Sequence, residues 1–290
     1  MTWFILALLS AVLSATASIF EKKILFKLGA LEFSFLLAVF NLIFSIPFFF
    51  SVDFAAVPIN SLFLLYLKTI LGAFAFWNVM LAIKNMELSG ALPLLVLTPG
   101  FVALFAFLIL GESLSNLEII GMILLLSGTY ILERRGKDFW EPFKIFVKSK
   151  NHHYIVLALL IFTTTSIMDK WLLRDYQLAP MAFIPFQHLF LAINFLLIVL
   201  FTEFGLFKKI KTHSKSVWGI VILISIFTVG YRYFQIESVK IASVALVLTV
   251  KRSSVFFATI IGGKIFKEHH LLRKAIATLI MIAGAVIMLY

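Results

Sequence analysis

The 290-residue chain contains no cysteine, few charges and no familiar catalytic motif. Without cysteine there is neither a disulfide framework nor a thiolate metal centre, and the redox compartment stays open. Charged residues make up 13% of the chain against 62% hydrophobic, too few to surround an ordinary soluble domain. There is no GxGxxG, P-loop, HExxH or CxxC, so the common dinucleotide, triphosphate and zinc chemistries have no anchor. Nor do a nucleophile and a base, or a group of metal ligands, fall at one depth of the apolar runs. No enzyme, no metal and no cofactor is expected. Acid is the scarcer sign: 14 Asp and Glu stand against 25 Lys and Arg, a net charge of +11. Most basic residues lie in short loops, the pattern of membrane topology signals, so no nucleic-acid partner is expected either.

What the chain does have is apolar length, with a mean hydropathy of +1.07. Segments able to span a bilayer fall at about 2–20, 33–52, 62–83, 89–110, 116–132, 153–172, 180–202, 217–236, 241–263 and 271–290. Asp53, Pro58, Ser89-Gly90, Gly111-Glu112, Ala179-Pro180 and the Lys208-Lys-Ile-Lys run punctuate them. The expected fold is an all-α integral membrane protein of ten transmembrane helices. Met1-Thr-Trp-Phe lacks a basic leader region, and its apolar run continues to Ile19, so a first span is expected there rather than a signal peptide. In and beside the odd-numbered loops lie 18 Lys and Arg residues, against 3 for the even-numbered loops. By the positive-inside rule the odd loops are cytoplasmic and both termini lie outside, in the cytoplasmic membrane with lipids as neighbours.

An internal repeat divides the chain. Ser18-Ile-Phe-Glu-Lys-Lys-Ile-Leu is echoed by Ser166-Ile-Met-Asp-Lys-Trp-Leu-Leu at an offset of 148; Glu112, Gly121 and Gly128 are echoed by Glu268, Ala277 and Gly284 at an offset of 156. The division expected is a first five-helix repeat over 1–135, a linker over 136–152 and a second repeat over 153–290. Phe139, Trp140, Phe143 and Val147 interleave with lysines in that linker, which suits a cytoplasmic interfacial segment. An odd number of helices per half turns equivalent elements to opposite faces, the inverted-repeat plan.

Lys251 and Arg252 stand side by side within the ninth segment, about 16 Å along a helix from Lys240 and so near the bilayer midplane. Each such cation costs roughly 2.5–3.5 kcal/mol on insertion scales and therefore faces a cavity or a partner. Arg232 is a third, expected to lie shallower. No Asp or Glu precedes Glu237 in the eighth segment, and none occurs in the ninth, so a ligand anion is expected as counter-ion. Arg offers a planar fork and Lys a mobile point charge. Tyr231, Tyr233, Trp77 and Asn78 carry polar ends that need partners in the membrane, which makes them cavity candidates. His188 is a candidate proton relay and Pro99 a candidate bend. Glu21 with Lys22 and Asp169 with Lys170 are expected as alternating gate pairs toward opposite faces. Lys68, near a helix end, is expected to snorkel.

Pro99, Glu112 thirteen residues later, and the spaced Gly121 and Gly128, in ten helices of two halves, resemble the EamA branch of the drug/metabolite transporter superfamily. Glu268 and Gly284 match in the second half, whereas Val255 stands where the motif has proline and Ala277 where it has glycine. The resemblance covers nearly the whole chain and implies transport of small solutes by alternating access. In plastid sugar-phosphate/phosphate translocators of the same superfamily a Lys-Arg pair of the ninth helix binds phosphate. Lys251-Arg252 resembles it in type and place, with Tyr231 or Tyr233 as the looser match to a helix 8 tyrosine. The expected function is a secondary transporter, working as an exchanger, of a small anionic metabolite such as an organic phosphate. The alternatives are an exporter of amino acids or other amphipathic or zwitterionic metabolites, and a non-transporting membrane subunit.

Overall fold

The computed structural model describes residues 2–98, 101, 115–133, 140, 144, 147–210, 212–242 and 244–287, the side chains at 118, 170, 244–246 and 248–249 excepted. Its main helices are α1 (Thr2–Leu25), α2 (Ala30–Phe49), α3 (Ile59–Asn85), α4 (Leu88–Leu94), α5 (Asn116–Glu133), α6 (Lys150–Arg174), α7 (Pro180–Thr202), α8 (Lys215–Ile241), α9 (Val244–Phe257) and α10 (Leu271–Ile287). No strand occurs among the described residues. Helices α1, α2, α3, α6, α7 and α8 are each long and apolar enough to cross a membrane. A helix keeps its interior backbone hydrogen bonds within itself, which is the condition for standing in hydrocarbon. Ile119, Ile123, Leu126, Ile276 and Leu279 are exposed on the outer faces of α5 and α10, as lipid-facing residues are.

Local sequence sets the ends and the irregularities. Pro180 opens α7 at its first position, where the missing amide hydrogen is not needed. Glu32 reaches back to accept from the Gly29 amide at 3.2 Å and so fixes the start of α2. Pro93 removes a donor from α4, which tightens into a 3-10 turn at Leu95–Leu97. Helix α9 loosens into a π turn at Ala258–Gly262, and α4 packs against that turn. Helix α8 continues to Ile241, several residues past the expected end at 236, and α9 resumes at Val244.

The packing partners repeat across the chain. Helix α1 packs on α8 as α6 packs on α3, α2 meets α8 as α7 meets α3, α2 lies against α7, and α5 against α10. Exchanging the first five helices for the last five leaves these pairings unchanged. The glycine echo has its cause at the α5–α10 crossing. A Cβ on Gly284 would lie 2.7 Å from the Gly121 carbonyl oxygen, and one on Gly128 would lie 2.9 Å from the Ala277 carbonyl oxygen. The repeat exchanges these two contacts, since Gly128 is the counterpart of Gly284 and Ala277 that of Gly121, and small residues at all four positions let the backbones touch as they do in membrane helix pairs.

One end of the bundle is tied by polar bonds among the odd-numbered loops. Lys22 Nζ donates to the carbonyls of Ile83 and Met86, each at 2.6 Å, and Lys84 Nζ to that of Leu28 at 2.8 Å. Glu268, which echoes Glu112 in sequence, accepts from the amides of Leu88 at 2.6 Å and Ser89 at 2.9 Å and from the Ser89 hydroxyl. It thereby caps the first turn of α4 in the opposite half. Lys274 and His269 hold Glu87 beside it. Burial raises the Glu87 carboxyl, but the hydrogen bonds from Lys274 and His269 outweigh that and bring it down to about 2. The opposite end is closed by an apolar cluster that includes Leu65, Leu172, Leu178 and Ile236. Pro99, Glu112 and most of the linker 136–152 lie outside the described residues; within that linker, Trp140 and Val147 are exposed.

Two outcomes follow from this packing. Gly284→Leu forces α5 and α10 apart and destabilises the protein by about 1–3 kcal/mol or more, read as a lower melting temperature in detergent. A carboxyl depressed in the folded state contributes stability above its usual value near 4.5 and loses it as pH falls toward about 2. The Glu87 tie should therefore weaken across that window, and Glu87→Gln should remove this part of the acid dependence of the melting temperature.

Candidate functional site

A cavity of about 310 Å³ lies among α1, α2, α3, α6, α7, α8 and α9. Glu21, Asn41, Lys68, Asp169, Gln187, His188, Tyr231, Arg232, Gln235, Lys251 and Arg252 all line it. Four cations and two carboxylates thus share one small space inside an apolar bundle.

The cations are held in two groups. In the first, Lys68 Nζ lies 2.6 Å from Asp169 Oδ1, and an Arg232 NH2 group donates to Asp169 Oδ2 at 2.8 Å. Both also donate to Gln187 Oε1, at 2.7 and 2.8 Å. The Phe183 ring lies against this group, 4.9 Å from Lys68 Nζ and 5.5 Å from the Arg232 guanidinium carbon, so its negative face adds to the attraction. In the second group, Lys251 Nζ donates to Gln235 Oε1 and stands 4.7 Å from the centre of the Tyr231 ring. Arg252 donates to Thr98 Oγ1 at 2.8 Å. Among the described residues these partners are neutral.

Several expectations are corrected by this arrangement. Arg232 does have a protein counter-ion, Asp169, which arrives from α6, 63 positions earlier in the chain. Lys68 does not snorkel: its side chain is 7% exposed and paired inside the bundle. Lys22 turns from Glu21 toward the backbone of Ile83 and Met86, so the expected Glu21–Lys22 pair does not form, and Asp169 is bound by Lys68 and Arg232. The Lys170 side chain and Pro99 lie outside the described residues. Glu21 and Asp169, expected toward opposite faces, line the same cavity. Arg232 lies nine residues, about 14 Å, from the end of α8, whereas Lys251 lies seven residues, about 10 Å, from the start of α9.

Of the aromatic and amide candidates, Tyr231 lines the cavity and the others do not. Tyr233 packs on Phe48 with ring centroids 5.5 Å apart. Trp77 packs against the apolar clusters with its indole nitrogen unpaired among the described residues. Asn78 satisfies itself within α3, donating to the Phe74 carbonyl at 2.7 Å. His188 is buried against the cavity, and neither ring nitrogen has a hydrogen-bond partner among the described residues. Sequence reasoning passed over Lys68, Gln187, Gln235 and Thr98 as site residues. Their signal was present: polar side chains inside otherwise apolar runs, where each must find a partner.

Comparison with known proteins agrees with the packing symmetry. The sequence model of the EamA-like transporter family matches residues 1–134 and again 151–290. No curated protein matches the chain. A crystal structure of a protein 15% identical in sequence superposes with a TM-score of 0.65, covering 98% of this chain and 95% of that one. Identity that low shows a shared fold alone. The repeated match over nearly all of the sequence settles the family: the chain belongs to the EamA-like transporter family.

Proposed function

We propose that the chain is a secondary transporter of small organic anions, organic phosphates among them, across the cytoplasmic membrane. The halves 1–135 and 153–290, joined by the linker 136–152, alternate access to the cavity as inverted repeats of five spans each. The observation that carries this reading is the second cation group. Lys251 and Arg252 face the cavity with a neutral amide, a ring and a hydroxyl as their described partners. A buried cation without an anion is unfavourable, and a carboxylate or phosphate seated between these two would make charge-assisted bonds to both. Arg232 and Tyr231 would border the same anion. An empty cavity with excess positive charge is poorly suited to crossing the low-dielectric midplane, so exchange is favoured over net flux. The volume, at the small end of the ~300–1,000 Å³ of ligand sites, fits a small metabolite.

The Glu21 carboxyl in the same cavity favours a second reading. A zwitterionic amino acid would place its carboxylate on Lys251 and Arg252 and its ammonium near Glu21.

Counterflow in proteoliposomes loaded in turn with inorganic phosphate, a triose phosphate, a dicarboxylate and alanine tests both readings. Lys251→Ala/Arg252→Ala should lower uptake of the accepted anion at least about tenfold, since each charge-assisted bond is worth roughly 1.5–3 kcal/mol. Full activity in the double variant would remove the clamp, and no counterflow with any of the four would remove the transport reading. Because the natural chain has no cysteine, single replacements report topology without background. Lys208→Cys should react with a membrane-impermeant maleimide only from the cytoplasmic side and Ala56→Cys only from outside; the reverse would invert the orientation.

A further inference from the structure

We propose that Glu21 is a proton-binding site linked to the anion on Lys251 and Arg252, so that a proton travels with the substrate. This rests on the transport reading above. Glu21 stands one turn before the end of α1, is 5% exposed and lines the cavity. Among the described residues no hydrogen bond or ion pair reaches it, because Lys22 beside it is engaged by the carbonyls of Ile83 and Met86. Its repeat counterpart Asp169 is in the opposite condition, held by Lys68 and Arg232.

The cations around Glu21 are already engaged, while His188 of α7 lines the same cavity with neither ring nitrogen bonded among the described residues. Helix α8 brings Tyr231 and Arg232 to the cavity, α9 brings Lys251 and Arg252, and α3 brings Lys68. Arg232 and Lys68 are bound to Asp169, Lys251 to Gln235 and Arg252 to Thr98. Glu32 of α2 is bound to His213 at the loops, and the π turn after α9 carries no charge. An ionised Glu21 would therefore be a bare charge within the membrane, the form such surroundings disfavour. A proton taken from water onto a carboxylate oxygen removes that charge, and its return to water on the other side restores it; no bond of the substrate changes.

The linkage to the anion follows from sign. An anion in the cavity adds negative potential beside Glu21 and strengthens its hold on a proton. By reciprocity the proton strengthens the hold on the anion by the same factor. Anion binding should therefore weaken as pH rises through the titration of Glu21, by up to about tenfold per pH unit for one fully linked proton.

The test has one arm that needs no substrate. Infrared titration of the purified protein in liposomes should show a protonated-carboxyl band that is absent from Glu21→Gln and shifted in Glu21→Asp. Persistence of that band in both variants overturns the site. In the second arm, radiolabelled sulfate, whose charge is constant from about pH 5.5 to 8, is the counterflow probe. Wild-type uptake should fall as pH rises and should carry protons with it, seen with an internal pH dye. In Glu21→Gln the pH dependence should vanish, and in Glu21→Asp it should return. A pH-independent wild type, or alanine counterflow that is lost in Glu21→Gln without any proton movement, overturns the linkage in favour of an ammonium site. Absence of all counterflow from the wild type removes the transport reading and the linkage, while the infrared band still decides the proton site.

Discussion

Positive charge held away from water is the constraint on which the rest of this structure depends. Lys68 and Arg232 are tolerable inside the bundle because Asp169 lies 2.6 Å from one and 2.8 Å from the other, with Gln187 and the Phe183 ring filling the remaining directions. These groups come from α3, α6, α7 and α8, so four helices must be positioned together before any one of the charges is acceptable. Lys68 belongs to the first repeat and its partners to the second. The contacts that make Lys68 tolerable in the bundle are therefore also contacts between the two repeats.

The repeat supplies a symmetric frame for an asymmetric site. Helix pairings map onto themselves when the repeats are exchanged, and the small-residue contacts at the α5–α10 crossing, Gly121 with Gly284 and Ala277 with Gly128, change places. Backbone contact there depends on size alone, so both copies keep small residues. The cavity has no such constraint. The acid of one repeat, Asp169, is bound by two cations, while that of the other, Glu21, is bound by none among the described residues, and the Lys251–Arg252 pair occurs in one repeat alone. The repeat provides a symmetric frame; divergence of the lining residues makes the cavity asymmetric.

Much of the frame was legible because membrane helices are set by local rules: apolar length, proline and glycine punctuation, and basic loops. The packing also agrees with the loop parity, since Lys22, Lys84, Glu87 and Lys274 gather at one end of the bundle. What was not legible depended on distance in three dimensions. Arg232 was read as lacking an acid because only α8 and α9 were compared, and Asp169 comes from α6. Helix α8 extends to Ile241, past the expected end at 236, which no breaker residue announces. Lys68 looked like an interfacial lysine because its nine-residue distance from the helix start is short in one dimension, although its partners lie across the bundle. Asn78 illustrates the opposite error: an amide in an apolar run needs a partner, but its own helix supplied one.

Glu268 shows how the two levels join. In the sequence it is one half of an echo with Glu112, a mark of family without a stated task. In the structure its carboxylate accepts from the first amides of α4, beside Glu87 held by Lys274. Unsatisfied amides at a helix start form a positive site, and a carboxylate there is worth most where water is scarce. Helix α4 also carries Leu92 along the cavity wall and leads through the Leu95–Leu97 turn to Thr98, the partner of Arg252. The carboxylate at one end of the bundle and the arginine in its middle therefore grip the same short helix from the opposite repeat. Through α4 and the turn that follows it, Glu268 is thus connected to Thr98 and Arg252 without lining the cavity itself.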